Sequence, residues 1–356
     1  MKKQNAQQAY SHESSEASNS DIVFYDIKEE PFTIHGLYDP KGQDAYKRLP
    51  DSIAQSTSDG VERLYKNTAG GRLRFATDSD SVYIRVKMPS LSLRPHMTIL
   101  SCVGFDLYLN KNGKDIFAGC FIPPADVTGE YGAMVSFKDD FSMKEITINF
   151  PLYGDIESVM IGIRKNAQLK KHGEYKISKP ILFYGSSITQ GACASRPGLC
   201  YEAWISRRLD CDYINLGFAG NCKGEDAIVD YMSTLDISCF VCDYDHNAPS
   251  ADHLQNTHGN VYKKMREKQP QIPIVLISKP DIKLDSDEDI RRRAIVMQTY
   301  LKGVKNGDKN LYFIDGYSLF SGADREDCTV DGCHPNDLGF YKMADIIGKT
   351  LETAMR

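Results

Sequence analysis

From residue 181 onward, short apolar runs alternate with longer amphipathic ones, and this alternation restricts the fold more than any other feature. ILFYGSS (181–187), YINLGFAG (213–220), ISCFVCDYD (237–245), IPIVLIS (272–278) and LYFIDG (311–316) read as strands. YEAWISRRL (201–209), GEDAIVDYMSTL (224–235), NVYKKMREKQP (260–270), DEDIRRRAIVMQTYLKGVKN (287–306) and LGFYKMADIIGKTLETAMR (338–356) read as helices. Strands that are apolar along their whole length need cover on both faces, and interleaved helices supply it. The expectation is an α/β domain over 178–356, with a parallel sheet between two helical layers. No internal repeat at solenoid spacing interrupts it.

The first half follows a different period. SVYIRVKM (81–88) alternates polar and apolar residues as a half-buried strand does, and FDLYLN (105–110), DIFAGCFI (115–122), GAMVSF (132–137) and EITINFP (145–151) continue the series. Turn residues such as Asn112-Gly113 punctuate them. No run predicts a helix of three turns. Short strands at this spacing predict an all-β sandwich of jelly-roll type over 21–177. A chain of 356 residues exceeds one ordinary core, so two domains is also the expectation from length.

Residues 1–20 are polar and read as a disordered tail. Lys2 and Lys3 are not followed by the apolar stretch of a secretory leader, so the expectation is a cytoplasmic protein. No apolar run reaches membrane-spanning length. A net charge of −5 argues against a nucleic-acid partner, which calls for a basic face. The oligomeric state stays open.

Ten cysteines diluted over this length do not make a disulfide framework. Cys239 and Cys242 lie three apart on a predicted strand, hence on opposite faces, and read as buried thiols. Cys193 and Cys200 flank a short loop, and whether they pair is left open. Cys328, Asp331, Cys333 and His334 crowd one segment, but Cys333 and His334 are adjacent and no second ligand pair accompanies them, so no metal is expected.

Open α/β sheets collect ligands at the carboxyl ends of their strands. Those ends carry Gly185-Ser186-Ser187, Asn215-Leu216-Gly217-Phe218-Ala219-Gly220 and Asp245-His246-Asn247, with Asp331-Gly332-Cys333-His334-Pro335 late in the chain. These are the parts acyl transfer requires. A serine hydroxyl, Ser187, needs a general base, His334, whose other ring nitrogen Asp331 can hold in the right tautomer. An oxyanion needs fixed donors, here the amides of Ser187 and Gly220 and the Asn247 side chain.

In this order the four segments resemble the blocks of the SGNH (GDSL-like) hydrolases. The resemblance implies a flavodoxin-like α/β/α fold, a Ser187–His334–Asp331 triad, an oxyanion hole from Ser187, Gly220 and Asn247, and no cofactor. Gly104-Phe105-Asp106-Leu107-Tyr108 is similar to the motif of the GxDLY β-sandwich that precedes such domains in bacteria. Two departures stand out. Ser186 replaces the family's Asp, and Asp245-His246-Asn247-Ala248 replaces its Gly-x-Asn-Asp.

Taken together, the family implies a serine esterase acting on short acyl groups, acetyl above all, of carbohydrate. Acyl transfer by the same residues and a carbohydrate-binding protein with a vestigial site are the alternatives. Asp106, Tyr108, His246 and His258 are candidate substrate-rim residues, although a structural role is expected for Asp106 and Tyr108, and a surface or loop-capping one for His246 and His258. Trp204 is expected to pack the helix after the nucleophile, Asp243 and Asp245 to bond loop backbone, and Arg291-Arg292-Arg293 to form a solvated helix face.

Overall fold

The computed structural model describes residues 21–281 and 283–356; the tail read at 1–20 lies outside them. Up to residue 170 the strands are β1 (Ile22–Asp26), β2 (Thr33–His35), β3 (Arg72–Thr77), β4 (Ser81–Lys87), β5 (Phe105–Lys111), β6 (Lys114–Phe121), β7 (Glu130–Ser136), β8 (Lys144–Asn149), β9 (Ser158–Arg164) and β10 (Leu169–Lys170). They form two antiparallel sheets, β1-β9-β4-β7 and β10-β3-β8-β5-β6 with β2 added on β3. The alternation in β4 is realised: Val82, Ile84 and Val86 are buried while Arg85 and Lys87 are exposed. In β5 it is suppressed, because Phe105, Leu107 and also Asp106 and Tyr108 are buried. A sheet face that should meet water is covered by something else, identified below.

Three short helices interrupt this region: α1 (Asp51–Thr57), α2 (Asp59–Leu64) and α3 (Ile99–Val103). Leu49, Ala54, Val61 and Leu64 belong to the core of the second half rather than to the sandwich.

The second half runs β11 (Ile177–Gly185), α4 (Ser187–Gln190), α5 (Tyr201–Leu209), β12 (Cys211–Gly217), α6 (Asp226–Ser233), β13 (Cys239–Asp243), α7 (Ala251–Lys268), β14 (Ile274–Ile277), α8 (Asp287–Lys305), β15 (Leu311–Ile314) and α9 (Asp337–Ala354). All its strand pairs are parallel, in the order β12-β11-β13-β14-β15. This is the doubly wound flavodoxin-like order, whose ligand crevice opens where the chain reverses direction across the sheet, at the carboxyl ends of the first and third strands. Side-chain alternation divides each strand between two cores. Cys239 and Val241 face one, with Ile181 and Phe183; Phe240 and Cys242 face the other, with Leu182 and Tyr184. Cys239 and Cys242 therefore stand on opposite faces, as the strand period requires. Among the described residues no helix is long and apolar enough to cross a membrane.

The first of these cores is continuous with that of the sandwich, so Leu73, Phe105 and Ile148 share one cluster with Phe183, Tyr201 and Phe340. Trp204 packs against Tyr341, with ring centroids 5.4 Å apart, and so joins α5 to α9. The cysteines read as an open pair direct their thiols to different carbonyls, Cys193 to His96 and Cys200 to Pro197.

The arginine run is not a solvated face. Arg291 pairs with Asp252 at the surface, Arg292 is buried against Asp245, and Arg293 pairs with Asp315. Consecutive residues on a helix are about 100° apart, so three of them cannot share one face.

Candidate active site

β11 delivers the nucleophile segment. Gly185 ends the strand where a Cβ would come within 2.0 Å of Thr189 Oγ1 and 2.6 Å of the Asp243 carbonyl, so only glycine allows α4 to start this close to the sheet. Ser186, in the place of the family's Asp, accepts from the Ile188 amide at 3.1 Å and caps α4. Ser187 is then the first residue of α4, where the backbone amide has no intrahelical acceptor.

Ser187 Oγ lies 2.9 Å from His334 Nε2, and His334 Nδ1 lies 2.8 Å from Asp331 Oδ2. The other Asp331 oxygen accepts from the His334 and Cys333 amides at 2.8 and 3.1 Å. Burial alone raises the Asp331 carboxyl, but hydrogen bonds from the His334 amide and ring outweigh it and hold the group at about 2. The loop that carries the pair closes on itself: the Val330 amide donates to the His334 carbonyl, and Asn336, bonded through its amide to the Cys328 carbonyl, caps α9.

The donors read from the second and third strand ends occupy two neighbouring turns. Gly220 has φ +73, a left-handed conformation, and the space beside its Cα is open. The amides on either side of it are engaged, Ala219 with Gln190 Oε1 at 3.0 Å and Asn221 with the Phe218 carbonyl at 2.7 Å. Among the described residues no acceptor faces the Gly220 amide. Asn247 Oδ1 accepts from the Cys222 amide at 3.4 Å, which ties the two turns together and leaves its NH2 available. The 245–247 turn is itself anchored from below, since Asp245 bonds Arg292 Nε at 3.1 Å and the Lys279 amide at 2.9 Å.

Four other sequence candidates separate clearly. Asp106 is fully buried; it accepts from Arg196 at 2.6 Å, the Gly198 amide at 2.9 Å and Asn149 at 2.8 Å. The Tyr108 hydroxyl accepts from Arg196 at 2.6 Å. These two residues clamp the loop after α4, which is what covers the outer face of β5, and a substrate-rim place for them is corrected accordingly. His258 is buried between α7 and α8, bonded to Thr299 at 2.9 Å and stacked on Tyr244; it is neither a rim nor a surface residue. His246 remains beside the site, with Nε2 3.0 Å from Cys333 Sγ and 3.6 Å from Asp281 Oδ2.

The donor atoms of His246, Asp281 and Cys333 lie within 4.8 Å of one another, as do those of Asp331, Cys333 and His334. Burial pushes the Cys333 thiol up to about 12, so it is protonated at neutral pH. Cys328, read with that group, instead directs its thiol to the Asp324 carbonyl. Asp243 bonds side chains rather than loop backbone: Thr189 at 3.3 Å and Tyr201 at 3.4 Å. Burial first, and the charge of Asp245 second, raise its carboxyl to about 8.

The profile of the GDSL-like Lipase/Acylhydrolase family matches residues 178–352, and that of the N-terminus of SGNH-hydrolase-type esterases, GxDLY, matches residues 22–169. The chain belongs to the SGNH, or GDSL-like, hydrolases with a GxDLY N-terminal domain. A GDSL-like lipase from Bacteroides ovatus ATCC 8483 is 29% identical, superposing with a TM-score of 0.85 over 94% of this chain and 98% of its own. The salicylyl-acyltransferase SsfX3 from a tetracycline biosynthetic pathway is 20% identical, with a TM-score of 0.75 over 95% and 98%. A family two carbohydrate esterase from Clostridium thermocellum, solved with cellohexaose, is 13% identical, with a TM-score of 0.63 over 90% and 98%. No curated protein sequence matches.

Sequence reasoning missed two contributors to this SGNH site. Gln190 bonds Asn67 at 3.0 Å, the Leu152 carbonyl at 3.1 Å and the Ala219 amide, so it fastens the nucleophile helix to the sandwich and to the Gly220 turn. The His96 ring, from the sandwich, stands 5.6 Å from that of His334. Neither carries a local motif, since each acts across the interface between the two halves.

Proposed function

We propose that this hydrolase cleaves short-chain acyl esters of carbohydrate, acetyl esters in the first place, through an acyl-Ser187 intermediate. The observation that carries the reading is the unbroken hydrogen-bond chain Ser187–His334–Asp331. Ser187 Oγ attacks the ester carbonyl as its proton passes to His334 Nε2. The carbonyl oxygen gains the negative charge, and the Ser187 and Gly220 amides with the Asn247 side chain are the donors assigned to it. His334 returns the proton to the departing alkoxide, leaving the acyl group on Ser187. Water then repeats the sequence, releasing the carboxylic acid and restoring the serine. Asp331 stays ionised throughout and balances the imidazolium.

The carbohydrate esterase fold relative solved with cellohexaose supports a sugar as the alcohol half. The acyltransferase relative favours a second reading, in which another hydroxyl replaces water at deacylation. Both readings need a live serine, which the intact triad geometry supports against a vestigial one.

The test is p-nitrophenol release from acetyl, butyryl and octanoyl esters, wild type beside Ser187→Ala, with fluorophosphonate labelling in parallel. Acetyl-selective turnover and labelling, both lost in Ser187→Ala, are expected. Full activity in the variant would refute the assignment.

A further inference from the structure

We propose that His96, carried by the β-sandwich, belongs to the substrate site and binds the hydroxyl-bearing alcohol half of the ester; this rests on the serine esterase reading above. His96 lies in the segment between β4 and α3, far from the catalytic residues in sequence. Its ring is nevertheless tilted 36° to that of His334 at a centroid separation of 5.6 Å. A ring nitrogen of each and the Cys193 thiol lie within 4.8 Å of one another.

The segment is fastened at that position rather than draped over it. The Cys193 thiol donates to the His96 carbonyl at 3.5 Å, Thr98 Oγ1 donates to the Ser195 carbonyl at 2.7 Å, and the Met97 amide closes a turn on the Arg94 carbonyl. Cys193 holds φ +71. For a residue with a side chain that left-handed conformation is strained, and such strain persists where the surroundings fix it. The receiving loop is anchored in turn, because Ser195 bonds Asp337 at the start of α9 through its amide at 2.8 Å and its hydroxyl at 2.6 Å.

What is left unengaged is the imidazole. Among the described residues neither ring nitrogen of His96 has a hydrogen-bond partner, and the residue is exposed. A backbone latched on both sides with a free polar ring beside the general base is an arrangement poised for a ligand.

The reaction geometry indicates which half of the ester it meets. The acyl oxygen must lie toward the Gly220 and Asn247 donors. The departing oxygen must lie against His334, from which it takes its proton. A group beside His334 therefore borders the alcohol. A neutral imidazole offers one donor and one acceptor, which suits a hydroxyl next to the ester oxygen, as sugars and other polyols present.

The experiment compares kcat/KM for glycerol 1-acetate with that for propyl acetate, which has the same carbon skeleton without hydroxyls. Wild type should prefer the glycerol ester. His96→Phe keeps a ring but no donor or acceptor, and should reduce the preference about tenfold, one hydrogen bond's worth. His96→Gln should restore part of it, and the loss should fall mainly in KM if the contact is made equally in the bound and transition states. An unchanged ratio in His96→Phe, an equal fall for both esters, or no wild-type preference would overturn the proposal. No turnover together with no fluorophosphonate label on wild type would refute the esterase reading itself, whereas a labelled, active enzyme with a flat ratio removes only the role of His96.

Discussion

Arg196 Nη1 lies 2.6 Å from the Asp106 carboxylate, and the Asp106 side chain is wholly excluded from solvent. The bond crosses from the sandwich to the loop between the nucleophile helix and α5, so the Asp106-Leu107-Tyr108 part of the GxDLY motif works as a clamp on the hydrolase half. Removing one partner of a buried ion pair strands the other charge and typically costs 3–5 kcal/mol, whereas removing one neutral hydroxyl costs about 1. Asp106→Ala should therefore lose roughly 3 kcal/mol in urea unfolding, and Tyr108→Phe roughly 1. Equal, small losses for both would mean that Asp106 contributes little to joining the halves.

Ionisation of Asp331 sets the form of the pH profile. Its carboxyl is held at about 2, below the ordinary value of 3.8, so it keeps its charge as the pH falls through the acid range in which enzymes are assayed. Asp331 then adds no proton to the acid limb of kcat/KM above pH 3, where log kcat/KM should rise with a slope no greater than one before it levels. A slope of two would show that Asp331 takes up a proton in that range. Asp331→Asn keeps the shape but not the charge, and kcat should fall by about 10² to 10⁴.

Much of this site was readable because its residues stand at strand ends whose apolar pattern is strong. Ser187, Gly220 and Asn247 each follow an apolar run that reads as an interior strand, whereas the Asp331–His334 pair lies in the loop before α9 and shows by its own spacing. The opposite facing of Cys239 and Cys242 followed from strand period alone. What stayed hidden depends on partners distant in sequence. The helices at 51–57 and 59–64 are too short to show a helical period, and they pack on the far half of the chain. Arg292 looks like its neighbours until Asp245 is placed beneath it. His258 sits on an otherwise polar stretch of α7, and only the docking of α8 and Tyr244 buries it.

That burial has a measurable consequence for stability. Desolvation lowers the His258 imidazole to about 4 from 6.5. Between those values the unfolded chain binds a proton that the native state does not, so stability falls as the pH drops from about 6.5 to 4 and is unaffected by this group above that range. The full effect is on the order of 3–4 kcal/mol at roughly 1.4 kcal/mol per unit. Asp243 works in the opposite direction, since a native carboxyl at about 8 binds its proton where the unfolded chain has lost it, and its contribution to stability declines as pH rises from about 4 to 8. The difference between wild type and His258→Gln isolates the histidine. The variant should lose less stability than wild type between pH 7 and 4.5, read as the change in urea midpoint. Parallel curves would show that His258 takes up its proton equally well in the folded protein.

The Arg292–Asp245 pair offers a direct test of how the turn carrying Asn247 is supported. Asp245 is buried, and Arg292 meets it with Nε at 3.1 Å while Nη2 bonds the Asp245 and Ala248 carbonyls at 2.5 and 2.7 Å. Both ends of the turn therefore hang from one guanidinium. Arg292→Met leaves a buried carboxylate facing apolar groups and frees those carbonyls, and should cost about 3–5 kcal/mol. Asp245→Asn alone keeps the shape and leaves Arg292 its Glu288 partner at 3.2 Å, so its loss should be smaller. The double variant Asp245→Asn/Arg292→Met removes both charges, so it should be more stable than the sum of the single losses predicts by 1 kcal/mol or more, the size expected for residues in contact. If the turn positions Asn247 for the oxyanion, kcat should stay depressed in the double variant even as stability returns, because the Ala248 and Asp245 carbonyls remain unheld. Recovery of stability and kcat together would assign Arg292 to charge balance alone.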